Sequence, residues 1–169
     1  MVGTKQHLVL NVLNDVKSTV RVLTPTAQGW RTSSIPGLPA LGQIGVSAVD
    51  AMQSDAMWLT VTDFLTPTEL MLGTVGDTSS AGAALQVLKR SPVFFNAAGH
   101  QVEQHFAKSK DGTRVPYFLV SPKGKLLDSN TPTLLYGYGG FEVSELPRYS
   151  AGAGKGWVER GGAYAVANI

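Results

Sequence analysis

The sequence contains no cysteine, so disulfides and thiolate metal sites are excluded. The redox compartment stays open, because cysteine-free chains occur on both sides of a membrane. Charge is also scarce. Asp, Glu, Lys and Arg together make up 15% of the 169 residues, against a typical share of about a quarter. The net charge is +2 and the basic residues are scattered, with no run longer than Lys89-Arg90. That distribution argues against nucleic acid or an anionic membrane surface as a partner. No apolar run approaches the roughly 20 residues needed to span a bilayer. The N-terminus does not read as a signal peptide, since Leu8-Val9-Leu10 is cut at once by Asn11.

Several chemical signatures are missing too. A nucleophile elbow reads Gly-x-Ser-x-Gly; Val46-Ser47-Ala48 lacks the second glycine, and Ser150 has Arg148 where the first belongs. Ser47 and Ser150 therefore read as ordinary serines. Gly152, Gly154 and Gly156 fail both phosphate-loop patterns, with Trp157 in place of the third glycine of one and Gly156 in place of the Ser or Thr of the other. His7, His100 and His105 have no carboxylate-rich cluster around them and read as surface histidines, with His100 and His105 on opposite faces of a strand. No metal or cofactor is expected.

What the chain has in quantity is glycine (19), proline (9) and apolar residues (43%), which predicts many turns and a β-rich fold, in a chain long enough for one globular core. Strands are predicted at Leu8–Leu13 and Thr19–Thr24 with a turn at Asn14-Asp15, then at Ile44–Ala48, Met57–Phe64, Leu70–Gly73 and Leu85–Lys89. Met57, Leu59 and Val61 alternate with Trp58, Thr60 and Thr62, so both faces of that strand read as covered. The glycines and prolines of Ala27–Gly42 predict a loop with no regular element, and Gly76–Gly82 predicts another. Thr66-Pro67-Thr68-Glu69 spells a helix start, but Gly73 follows too soon, and strand is the better reading. Short strands at such spacing describe a sandwich, a barrel or propeller blades, although too few are present to close a propeller.

The most definite hairpin pairs Gln101–Lys108 with Thr113–Ser121 across a predicted type I′ turn at Asp111-Gly112. Pro116 predicts that the second strand lies at an edge. Beyond Pro132 the pattern changes: a buried strand at Thr133–Tyr138, a short helix within Ser150–Arg160 ended by Gly161-Gly162, and a strand at Ala163–Ile169. Strand, helix, strand is how an α/β layer opens.

Tyr136-Gly137-Tyr138-Gly139-Gly140-Phe141 is the most informative motif. One reading is a glycine turn with core aromatics. The other aims the Tyr138 hydroxyl at a developing oxyanion, a contribution of ~3 kcal/mol in a transition state, with Phe141 walling an apolar pocket.

Val102–Phe118, Leu134–Phe141 and Gly161–Ile169 occur in the order and spacing of the prolyl oligopeptidase family of serine peptidases, and the chain resembles that family. The resemblance is strong over Pro92–Ile169 and continues upstream through Trp58–Leu70. It implies the last blades of a seven-bladed β-propeller over residues 1–95 and the opening strands of an α/β-hydrolase domain over residues 96–169. It implies cleavage of short peptides, often after proline, by a Ser-Asp-His triad. Tyr138 matches the tyrosine that forms half of the family's oxyanion hole, and Phe141 a phenylalanine of its proline pocket. The nucleophile, aspartate and histidine have no match here, so the chain is expected to be an internal fragment and inactive alone. The expected partner is a short peptide, with no nucleic acid, membrane or cofactor, and the resemblance leaves cytoplasm and periplasm equally open. The alternative is a non-catalytic β-rich binding module; a relative of acylaminoacyl- or dipeptidyl-peptidase type ranks lower.

Overall fold

The computed structural model describes residues 1–76 and 85–169. The predicted loop at Gly76–Gly82 falls almost wholly outside them.

Two antiparallel four-stranded meanders come first. One consists of β1 (Val2–Gly3), β2 (Leu8–Asn14), β3 (Lys17–Thr26) and β4 (Gly29–Ser34); the other of β5 (Gln43–Ala48), β6 (Ala56–Thr62), β7 (Glu69–Thr74) and β8 (Gln86–Arg90). Alternation places the core. Val20 and Val22 of β3 are buried while their neighbours Thr19 and Arg21 are exposed. Met57, Leu59 and Val61 of β6 are buried; on its other face Thr62 is buried, Trp58 half-buried and Thr60 exposed, so that face is covered only in part. The buried apolar residues of both strands join Val9, Ile35, Ile44 and Met71 in one core shared by the two sheets.

The third sheet combines β9 (His100–Lys108), β10 (Arg114–Pro122), β11 (Thr133–Gly137) and β12 (Ala163–Ala167) in the order β11-β12-β10-β9. β11 and β12 run parallel. Their crossover carries helix α1 (Ala151–Gly156) and a 3₁₀ turn (Val158–Arg160). Ser150 caps α1 by accepting from the Ala153 N–H at 3.3 Å, and Gly161, at φ +90°, ends the crossover in the left-handed region. A second core gathers Phe118, Val120 and Val166 of this sheet with Val158, Phe95, Phe64 and Val16.

The β-rich expectation therefore holds, and several local readings need correction. Residues 27–42 contain a strand: β4 is exposed along its length and is held by its ladder to β3, which an apolar pattern cannot register. The first hairpin turns at Asp15-Val16, both at positive φ (+46° and +56°), rather than at Asn14-Asp15. Val16 accepts that conformation because its side chain is buried in the second core.

The β9–β10 turn is not type I′, since Gly112 alone has positive φ. The Gly112 N–H donates to the Ser109 carbonyl at 3.0 Å and the Ser109 N–H to the Thr113 carbonyl at 2.9 Å, the pattern of a type I turn followed by a left-handed glycine. Pro116 is not on an edge, because β10 lies between β9 and β12. Its carbonyl accepts from the Asn168 N–H, one residue past the end of β12. The nitrogen faces the same way, so the missing donor costs no ladder bond. Thr133–Gly137 is a strand but is not buried: β11 is the sheet edge, and Leu135 is 71% exposed.

Candidate functional site

The glycine turn stands at the carboxyl end of β11, beside the end of β12, where Gly137 pairs with Ala167. The close approach of Ile169 explains two of the glycines. A Cβ at Gly137 would lie 3.3 Å from Ile169 Cδ1, and one at Gly139 would lie 3.3 Å from the Ile169 carbonyl oxygen. The Tyr138 ring folds over Gly140, whose Cβ would lie 3.1 Å from the phenol oxygen.

Phe141 and Glu142 follow at φ +56° and +54°, and the Val143 N–H closes the turn on the Gly140 carbonyl at 3.2 Å. Left-handed backbone at two consecutive side-chain-bearing residues costs roughly 1–2 kcal/mol each. Phe141 spends that strain on projecting outward, at 93% exposure, while Tyr138 is half-exposed. The structure thus brings Tyr138 and Phe141 together on one strained turn.

The chain is anchored again just beyond. Asn168 makes a reciprocal pair with Glu145, accepting from its N–H at 2.7 Å and donating to its carbonyl at 3.3 Å. Glu145 is buried and faces Arg148, with Oε2 to Nη2 at 3.6 Å. A cavity of about 380 Å³ lies between this loop and the sheet, lined in part by Tyr136, Glu145, Arg148 and Tyr164. Burial pushes the Tyr164 phenol up; Arg148 opposes that shift, and Tyr136 and Glu145 add to it.

Tyr149, which no sequence motif marks, holds the site's surroundings together. Its hydroxyl accepts from the backbone N–H of Phe94 at 2.8 Å and of Phe95 at 3.4 Å, and its ring stacks on Phe95 at 5.0 Å. Its own N–H donates to Thr62 Oγ1 at 3.4 Å. One tyrosine therefore ties the 91–97 connection, β6 and the approach to α1 together. Glu159 adds to the tie by accepting from the Asn96 N–H at 2.9 Å. Those partners lie 54 to 87 residues away in sequence, so the only local signal was position, next to the helix-capping Ser150.

The histidines do not reach the turn. His100 and His105 lie on β9, at the opposite edge of the sheet from β11. His100 sits with Nε2 3.0 Å from the Val158 carbonyl, its Nδ1 without a partner among the described residues. His105 stacks on Tyr117 and is 3.7 Å from Glu103. His7 is not a surface histidine: it is buried, with Nδ1 2.9 Å from Thr24 Oγ1. No group of three His, Asp or Glu residues able to hold a metal occurs among the described residues.

No family model matches the chain. Individual proteins do. The chain is 40% identical over 166 residues to the uncharacterized peptidase y4nA of Sinorhizobium fredii, covering 98% of this chain and 22% of that protein. It is 30% identical over 157 residues to the prolyl endopeptidase of Elizabethkingia miricola, covering 93% of this chain and 21% of the relative. Among solved structures, one from a study of two prolyl endopeptidases superposes with a TM-score of 0.78 at 36% identity, over 99% of this chain and 23% of that one. A post-proline cleaving enzyme from Rickettsia typhi gives 0.74 at 28%, with the same coverage of both chains. The chain thus spans about a fifth of the length of the relatives it matches.

Proposed function

The chain belongs to the prolyl oligopeptidase family, and on that premise we propose that it supplies part of the active site of a serine-type oligopeptidase cleaving short peptides after proline. Residues 1–95 contribute blades of a β-propeller, each blade one four-stranded antiparallel meander of the kind seen twice here. Residues 96–169 open an α/β-hydrolase layer, with α1 in the crossover between β11 and β12.

The observation that carries this reading is the place of the glycine turn. In open α/β sheets, ligands bind outside the carboxyl ends of parallel strands, and β11 and β12 are the parallel pair whose carboxyl end the turn occupies. Tyr138 then donates its hydroxyl to the oxyanion that develops on the scissile carbonyl, and Phe141 walls the pocket for the proline ring. A single oxyanion donor contributes roughly 3 kcal/mol to the transition state.

No nucleophile elbow occurs in this sequence, so the 169 residues by themselves are proposed to be inactive: an oxyanion donor without a nucleophile does not transfer an acyl group. The test has two arms. The purified chain releases no chromophore from a blocked Gly-Pro substrate. In a protein that carries this segment together with a nucleophile serine, Tyr138→Phe lowers kcat about 100-fold with little change in KM, and Phe141→Ala raises KM. Hydrolysis by the chain alone, abolished by Tyr138→Phe, would refute the first arm; an unchanged kcat in the variant would refute the second.

A further inference from the structure

Arg148 lines the cavity beside Glu145 and a second one. The second, of about 280 Å³ and open to solvent, is lined by Gln43 and Gly45 of β5, Thr60 of β6 and Arg148 itself, all four exposed. Tyr149 closes one wall through its bond to Thr62, whose hydroxyl is already engaged with the Thr66 carbonyl. The Gln43 amide, the Thr60 hydroxyl and the Arg148 guanidinium form no hydrogen bond among the described residues. Among the described residues Arg148 has one ion-pair partner, Glu145, whose Oε2 stands 3.6 Å from Nη2. Among the described residues no carboxylate lines this cavity. The backbone that carries Arg148 is fixed on both sides, by buried Pro147 and by Tyr149 stacked on Phe95.

A cavity rich in donors, free of acids and headed by an arginine is complementary to an anion. Glu145 offsets part of the arginine's charge, which favours a monoanion over a phosphate dianion. The planar guanidinium fork matches the two oxygens of a carboxylate. The volume lies just under the range of ordinary small-molecule sites, about 300–1,000 Å³, and suits one terminal residue rather than a longer ligand.

We infer that this cavity is a subsite for the free C-terminal carboxylate of a short peptide, with Arg148 as the paired donor and Thr60 and Gln43 completing the shell. The peptide as occupant rests on the peptidase reading above; the preference for a carboxylate rests on the cavity alone.

The test is an NMR titration of the isotope-labelled 169-residue chain with N-acetyl-Ala-Pro-Ala, as the free acid and as the C-terminal amide. The acid is expected to shift the side-chain signals of Arg148 and Gln43 and the Thr60 amide, and to bind about 10- to 100-fold more tightly than the amide, the range that a hydrogen bond to a charged group carries. Arg148→Gln removes that difference and leaves the amide's affinity unchanged. Gly45→Val fills the cavity with the strand kept, because a Cβ there meets only Thr60, at 3.7 Å or more, and it too abolishes the acid's advantage. Equal binding of acid and amide, or a preference that survives Arg148→Gln, overturns the subsite and leaves the peptidase reading standing. If neither peptide binds while sodium acetate shifts the same three signals, the cavity takes an anion but not a peptide, which overturns the proposed occupant and counts against the peptidase reading.

Discussion

Helix α1 carries three glycines in six residues, and alanine at two of them should act in opposite directions. Gly→Ala in a helix interior gains up to about 1 kcal/mol from propensity alone. At Gly152 nothing lies within 4 Å of the added Cβ, so Gly152→Ala should stabilise the chain by ~0.5–1 kcal/mol. At Gly154 the Cβ would stand 2.1 Å from both Cδ1 and Cε1 of Phe95. That ring is 4% exposed and stacked on Tyr149 at 5.0 Å, so it has no open direction in which to move. Overpacking a buried site costs roughly 1–3 kcal/mol, and an overlap this deep belongs at the upper end. After the propensity gain, the net loss for Gly154→Ala should be ~1–2 kcal/mol. Urea unfolding followed by circular dichroism reads the difference as opposite shifts of the midpoint at an unchanged slope. Adding Phe95→Leu to Gly154→Ala should recover part of the loss, because the two positions share one contact. The reasoning fails if Gly154→Ala proves as stable as Gly152→Ala.

Other outcomes follow from the same contacts. Tyr149→Phe removes an acceptor shared by two backbone N–H groups and should cost ~1–2 kcal/mol, with faster amide exchange at Phe94 and Phe95; unchanged exchange there would show that the phenol does not hold the connection. Hydrogen bonding from Lys155, then from the Asn96 amide, holds the Glu159 carboxyl below its ordinary range. A lowered folded-state pKa means that the Glu159–Asn96 contact is complete above the ordinary glutamate range and is lost as pH falls through the lowered value. The Asn96 amide resonance should therefore titrate with a midpoint below that of an unperturbed glutamate, and a midpoint at or above it would contradict the contact. Phe141→Gly relieves left-handed strain at an exposed position and should raise the unfolding free energy by ~1 kcal/mol; a loss of stability would mean that the ring packs against the chain.

Much of the secondary structure was legible because its causes are local. The alternation of Val20 and Val22 with Thr19 and Arg21, the glycine at Gly112 and the capping serine at Ser150 each act within a few residues. The strand at β4 was not legible, since all six of its residues are exposed and the ladder to β3 alone defines it. Pro116 misled for a related reason. Whether a proline faces a neighbour depends on where the next strand stops, and β12 stops at Ala167, some 50 residues further along.

The candidate site divides the same way. The sequence alone determined that Tyr138 and Phe141 share one glycine turn and that no nucleophile elbow accompanies them, because both are matters of residue order. Only the tertiary structure decided that β11 is an exposed edge, parallel to β12, so that the turn opens outward at the strand's carboxyl end. It alone brought Tyr149 to the 91–97 connection, and paired Arg148 with a buried carboxylate on the wall of a cavity that no described carboxylate lines. Propensity and periodicity act over one or two turns of chain, whereas these contacts join segments that only the packing of three sheets places side by side.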